Sequence, residues 1–308
     1  MQLRYDEDFL EAAVFLCASG RRPGVPSLQI ARFHREREKL YSILDPDERN
    51  AAFFNLHLDW FREWGLEQPL TDVLKESPLV REQLGVLAVR KTTGKNDEGA
   101  ELYVNEAGQR TGLLALRLER LIHDAALRDY LRHEFTHLHD MLDPAFGYLP
   151  ELELPGLNSA QKRLARERYR LLWDITIDGR LTAAGFTPTQ AYEQHAAAFA
   201  RGYSFWPQPR QAQTFNSLWR TQVPRHADFL ALITDPRGLR EAHRPAPGAS
   251  CPLCDFPTFQ WADPGLLESG LVQRITTEFP NWLPGHGVCH RCWEAYQVRE
   301  LADCASAA

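Results

Sequence analysis

His133-Glu134-Phe135-Thr136-His137 places two imidazoles four residues apart, with a carboxylate beside the first. On a helix that spacing is a rise of about 6 Å and a turn of about 40°, so both rings can converge on one metal ion. Zinc suits such a pair, because it takes neutral imidazole nitrogens and keeps a position open for water. Glu134 lies on the same side, free to act as a base rather than a ligand. The chemistry implied is metal-assisted hydrolysis. A solvated helix face that happens to carry His and Glu is the bland alternative.

The motif has to sit on a helix, and its surroundings predict one. Leu127, Leu131, Phe135, Leu138 and Leu142 recur every three or four residues, which is the helical period. Asp124 is the expected N-cap and Asp143-Pro144 the expected stop. A second helix is predicted from Asn158-Ser159 to about Ala184. Within it Asp174 and Asp178 are one turn apart, amid Leu171, Leu172, Trp173, Ile175, Ile177 and Leu181. Two carboxylates in so apolar a stretch are costly unless they meet a cation or donors, and a metal and its histidine would serve. The alternative is that they form helix ion pairs with Arg170 and Arg180.

Cys251-Pro252-Leu253-Cys254 and Cys289-His290-Arg291-Cys292 form two CxxC pairs separated by 34 residues. Four thiolates at this spacing predict a closed, tetrahedral and therefore structural zinc site. A module of ~55 residues buries too little to fold comfortably alone, so the metal would supply the missing stability. Cys17 and Cys304 stand outside this pattern.

Between the helical stretches, residues 85–90, 101–104 and 112–118 read as short strands divided by Gly, Asn and Asp turns. Residues 1–80 read as helical throughout. The basic run Arg32, Arg35, Arg37 and Lys39 is interleaved with Glu36 and Glu38, which predicts a solvated helix face. Further helices are expected over 189–200, 209–221 and 224–234. Residues 235–250, rich in Pro and Gly, are the expected linker.

Sheet, HExxH helix and second helix follow in the order of the zincin metalloproteases, which residues 84–184 resemble. In the gluzincin branch the second helix supplies a Glu ligand in an ExxxD pattern, and the Asp one turn on braces a zinc histidine. This resemblance implies His133, His137 and Asp174 as ligands, Asp178 as the brace and Glu134 as the catalytic base. Asp replaces Glu as the third ligand, which demands a closer approach of the two helices. Asp143, ten residues after His133, competes for the same role, where metzincins place their third ligand. That branch needs Gly at the position of Asp140 and a methionine turn downstream, whereas the methionines here are Met1 and Met141. His139 is out of phase with the ligand pair. Tyr148, His195, Tyr203 and His226 are open candidates for stabilising an oxyanion.

The expected fold is therefore α+β: a mostly helical zincin-like domain with a small sheet over 1–243, and a zinc-ribbon or treble-clef-like module over 250–304. Two zinc ions are implied, one catalytic and one structural. Zincin followed by zinc ribbon is also the layout of the SprT-like proteases, which act on proteins crosslinked to DNA. Those enzymes use a third His, and none is suitably placed. From residue 245 onward three basic residues face seven acidic ones, the wrong sign for binding phosphate. The chain as a whole carries −6, which gives no reason to expect nucleic acid.

A peptide or protein substrate is expected, with a protein partner for the C-terminal module. No apolar run approaches the ~20 residues of a membrane span. Phe9 to Cys17 is apolar but flanked by acids rather than a basic start, so the expected location is cytoplasmic. Thiolate sites agree with a reducing compartment. A non-catalytic zinc-stabilised binding protein and a zinc hydrolase of small molecules are the rival readings.

Overall fold

Gln2-Leu3-Arg4-Tyr5 alternates polar and apolar side chains, and in the computed structural model these residues form strand β1 (Gln2–Tyr5) rather than helix. The stretch 1–80 is otherwise helical, so the expectation fails only at its start. Four residues are too few to compete with the helical period that follows, and their partner lies more than 80 residues away, where no local pattern can announce it. The structure describes residues 1–306 except 95–96, 151, 153, 155–158, 235–244, 246–247, 264–266, 268, 281 and 283–285. The expected linker and the helix-starting Asn158 fall largely or wholly outside the described residues.

After β1 come α1 (Glu7–Ala18), α2 (Ser27–Leu40), α3 (Pro46–Glu63), α4 (Gln68–Glu76) and α5 (Pro78–Gln83). Capping explains several of these starts. Asp6 accepts the Phe9 amide at 3.1 Å, and Asp45 accepts those of Asp47 and Glu48 ahead of Pro46, satisfying donors that a helix start leaves open. Arg32 is met by Glu36 and Glu63, which makes the basic run a compensated face.

Strands β2 (Val86–Lys91), β3 (Gly99–Val104) and β4 (Arg110–Leu116) complete a four-stranded mixed sheet in the order β1-β2-β4-β3. β1 and β4 run parallel to β2, and β3 runs antiparallel to β4, with Gly99 opposite Ala115 and Ala100 opposite Leu114. Leu87, Val89 and Leu114 on one face of the sheet are buried with Leu127, Leu131, Phe135 and Leu138 of α6 (Asp124–Leu142). Gly112 leaves room on this face for the Leu84 and Leu87 side chains, since a Cβ there would lie 2.8 Å from Leu84 Cδ1 and 3.0 Å from Leu87 Cδ1. β3, the strand nearest the metal-binding motif, is left at the sheet edge.

α6 ends where the sequence says it should, with Asp143 as C-cap, but its N-cap is His123. Asp124 is already inside the helix and pairs with Arg22 at 2.7 Å. α7 (Ser159–Ala183), α8 (Tyr192–Gly202), α9 (Gln208–Arg220) and α10 (His226–Thr234) follow close to the expected spans. α9 comes unusually near α7, because a Cβ on Gly179 would stand 2.1 Å from the Trp219 carbonyl oxygen.

The chain divides into two compact units, Met1–Leu230 and Ala231–Ala308. In the second, bridges pair Ser250 with Pro257 and Trp261 with Cys289, and helices α11 (Ser269–Glu278) and α12 (His290–Ser306) follow. Among its described residues the buried apolar cluster is small: Leu271, Ile275, Trp282 and Tyr296. Among the described residues, no helix is long and apolar enough to cross a membrane.

Candidate metal centre and cleft

The helical period of α6 puts His133, Glu134 and His137 on the buried side of the helix, and the period of α7 turns Asp174 and Asp178 toward them. Asp174 Oδ1 lies 3.0 Å from His137 Nε2 and 3.5 Å from His133 Nε2. Ligand atoms of these three residues all lie within 4.8 Å of one another. Bonds of about 2.0–2.1 Å to a tetrahedral centre imply edges of about 3.3 Å between donors, so two imidazoles and a carboxylate at these separations fit zinc. Asp174 is half-buried, which leaves the cluster a path to solvent.

Asp178 sits behind this cluster and is fully buried. Its Oδ1 lies 2.8 Å from His133 Nδ1, fixing the ring so that Nε2 faces Asp174. The same carboxylate accepts the amides of Thr189 and Gln190 and the Thr189 hydroxyl, and lies 2.8 Å from His195 Nε2. Burial would raise the Asp178 carboxyl, but the partners His133, His195 and Thr189 outweigh it and hold its pKa below the ordinary carboxylate value. Burial works against a charged His133 too, while Asp174 and Asp178 pull the other way and hold its pKa above the ordinary imidazole value.

Zinc binding to this cluster must therefore displace a proton. Because His133 is protonated more readily here than in an open chain, apparent zinc affinity should fall as pH drops from 8 to 6, by about tenfold per proton displaced and pH unit. Competition titration against a fluorescent chelator across that range would show it. Asp178→Ala removes the partner of two buried rings at once. Zinc affinity should fall on the order of 10–100-fold, as loss of a histidine's carboxylate partner does. The same titration measures it.

A second carboxylate ties the two helices together. Asp140, where a metzincin would need Gly, accepts Trp173 Nε1 at 2.7 Å and both terminal nitrogens of Arg180. Arg180 thus serves Asp140 rather than Asp174 or Asp178, and Arg170 meets neither aspartate, so the ion-pair alternative does not describe this helix. The Trp173 ring packs edge-on against His137 with centroids 4.6 Å apart. Asp143 accepts the Ala145 amide and His139 approaches Asp140 at 3.6 Å; neither belongs to the histidine cluster.

Glu134 stays out of the ligand cluster. Its Oε2 accepts the Ala100 amide at 2.8 Å, which ties the base to the side of edge strand β3 that faces away from β4. Glu134 and His137 open onto a cleft of about 1140 Å³ whose lining also includes Tyr148, Tyr169, Trp173 and His226; His133 and Asp174 are not part of its lining. Tyr169 Oη lies 2.6 Å from His226 Nδ1. Burial holds the His226 ring below its ordinary pKa, which favours its neutral form.

Of the four open oxyanion candidates, Tyr148 and His226 thus reach the cleft. His195 is consumed in bracing Asp178, and Tyr203 is buried against Phe199 and Trp206. The Tyr169–His226 pair spans 57 residues, and no spacing in the sequence could have announced it.

In the second unit, Cys251, Cys254, Cys289 and Cys292 bring their sulfurs within 4.8 Å of one another. Cys251 and Cys292 sulfurs are 4.0 Å apart, and those of Cys254 and Cys289 3.8 Å. Zn–S bonds of about 2.3 Å imply sulfur separations of about 3.8 Å in a tetrahedron, so this set fits zinc and leaves no position open. A metal ion held by these four sulfurs would add stability to a module whose described apolar cluster is small. Replacing Cys251 and Cys254 together by Ser should remove one metal ion per chain and open residues from about 250 onward to proteolysis. The other ion should stay, since its ligands all lie before Leu230. Metal analysis and limited proteolysis of the full chain measure both. Comparison of the chain with protein-family models, with curated proteins and with solved structures finds no match.

Proposed function

We propose that this protein is a zinc-dependent metallopeptidase of gluzincin-like type, with a structural zinc in its C-terminal unit. The observation that carries this reading is the position of Glu134, buried beside a two-histidine, one-aspartate cluster yet open to a cleft that runs along an unpaired strand edge. A metal-stabilised core would need neither the cleft nor a carboxylate held next to the cluster without being part of it. The strand edge favours an extended peptide over a small molecule, because backbone groups of β3 facing away from β4 can pair with an added strand.

His133, His137 and Asp174 would hold a zinc ion, which would supply acidification of water and an electrophile for a carbonyl oxygen. Glu134 takes the proton of the attacking water and hands it to the leaving amine. The Ala100 amide holds the carboxylate in place for both transfers. His226, oriented by Tyr169, and Tyr148 are the donors within reach of the cleft for the negative charge that develops.

The test is cleavage of a randomised decapeptide library by the purified, zinc-loaded chain, followed by mass spectrometry. Cuts that disappear with a chelator and return with zinc support the proposal. An intact library in the presence of a fully loaded metal centre overturns it in favour of a binding role.

A further inference from the structure

Every acid around the metal centre is already committed, but the cations of the cleft are not. Arg166 and Arg170 are one turn apart on α7, exposed, and part of the cleft lining. Neither forms an ion pair among the described residues; Arg170 makes only a 3.5 Å contact with the Glu98 carbonyl oxygen. Arg90 and Lys91 at the end of β2 line the same cleft and also lack acidic partners among the described residues.

The lining acids do not cancel this charge. Glu98 is buried and enclosed by the Arg117 and Arg120 side chains and the Arg117 amide, so its charge is met from outside the cleft. Glu134 belongs to the reaction. Asp97 and Glu101 remain, and Glu101 accepts the Tyr103 hydroxyl. Among the described residues, four cations without acidic partners therefore face two acids.

Arg170 is also near the chemistry. A Cβ on Gly99 would lie 3.5 Å from Glu134 Oε2 and 3.7 Å from Arg170 Nη2. The guanidinium is thus at most about two residue spacings from the general base, at roughly 3.3 Å per extended residue. Gly99, with φ +149°, leaves the gap between them unfilled. A guanidinium beside such a gap, with no carboxylate partner among the described residues, is the group that binds a carboxylate through paired hydrogen bonds.

We propose that Arg170, assisted by Arg166, is a carboxylate-recognition site of the cleft, so that preferred substrates carry a carboxylate within about two residues of the bond that is cut. This rests on the peptidase reading. The carboxylate has two sources, an Asp or Glu side chain or the C-terminus of the substrate.

The decapeptide library, made once with free and once with amidated C-termini, separates them. Asp and Glu enriched beside the cut in both forms identify a side chain. Cuts confined to the last two residues, and lost on amidation, identify the terminus. Arg170→Glu should abolish whichever preference is found and shift it toward Lys and Arg at the same position, a reversal that misfolding cannot produce.

Binding gives a readout without turnover. On the zinc-loaded Glu134→Gln chain, fluorescence anisotropy should show the best-cut decapeptide losing on the order of tenfold in affinity when its carboxylate becomes an amide. That difference should vanish when Arg170→Glu is added. Library cleavage without a carboxylate preference, or a preference that survives Arg170→Glu, overturns this proposal and leaves the peptidase standing. Neither cleavage nor binding of any peptide overturns both.

Discussion

Glu134→Gln should leave the protein folded and fully loaded with metal, yet reduce peptide hydrolysis by at least 10²–10⁴-fold, the usual contribution of a positioned acid–base group. The substitution is nearly isosteric. Its amide oxygen can still accept the Ala100 amide now received at 2.8 Å by Glu134 Oε2, so the tie to β3 persists. Glu134 is not in the cluster formed by His133, His137 and Asp174, so no ligand is lost. What disappears is the ability to take a proton from the attacking water. Metal content by mass spectrometry and turnover of any substrate from the library separate the two effects. Metal loss in this variant would make Glu134 a ligand and remove the base from the reaction. Undiminished turnover would move the base elsewhere.

Much of the candidate metal centre is legible in the sequence because its parts are local. His133 and His137 share a helix face, and so do Asp174 and Asp178, so the helical period places each pair. The cost of burying two carboxylates points to what they meet. The four cysteines follow from ligand chemistry and spacing in the same way, and their sulfurs do come together. The α+β class follows from the switch of period near residue 84.

The cleft is a different matter. Glu134 reaches Ala100 across 34 residues, Tyr169 reaches His226 across 57, and Thr189 and His195 close on Asp178 from the far side of a turn. None of these contacts has a period or a motif, because each is made by packing between elements: β3 against α6, α10 against α7, and α8 with the turn before it against α7. Arg170 is the sharpest case. From the sequence it looks like the helix partner of Asp174, being four residues before it. Only the direction of Asp174 toward the histidines leaves the arginine free. The missed strand β1 has the same cause, since its evidence is the register with β2 and not its own four residues.

With both candidate sites loaded, Asp174→Ala should strip the metal from the histidine cluster and leave that of the four cysteines, whereas Asp143→Ala should strip neither. Two histidines without a third protein ligand hold zinc poorly, because structural and catalytic sites alike need at least three. Asp143 accepts the Ala145 amide at the end of α6, so its loss costs a cap and no ligand. Asp174→Glu is the more searching variant, since it installs the residue that gluzincins carry at this position. Asp174 Oδ1 already stands 3.0 Å from His137 Nε2 and 3.5 Å from His133 Nε2, at the spacing a tetrahedral centre requires. The distance between α6 and α7 is fixed by the buried Asp140, Arg180 and Trp173 linkage. An arm one methylene longer therefore overshoots, and Asp174→Glu should bind zinc more weakly than the natural chain despite matching the family pattern. Equal or tighter binding by Asp174→Glu in a chelator competition would show that the helices yield to the ligand. Retention of two zinc ions by Asp174→Ala would remove Asp174 from the site altogether.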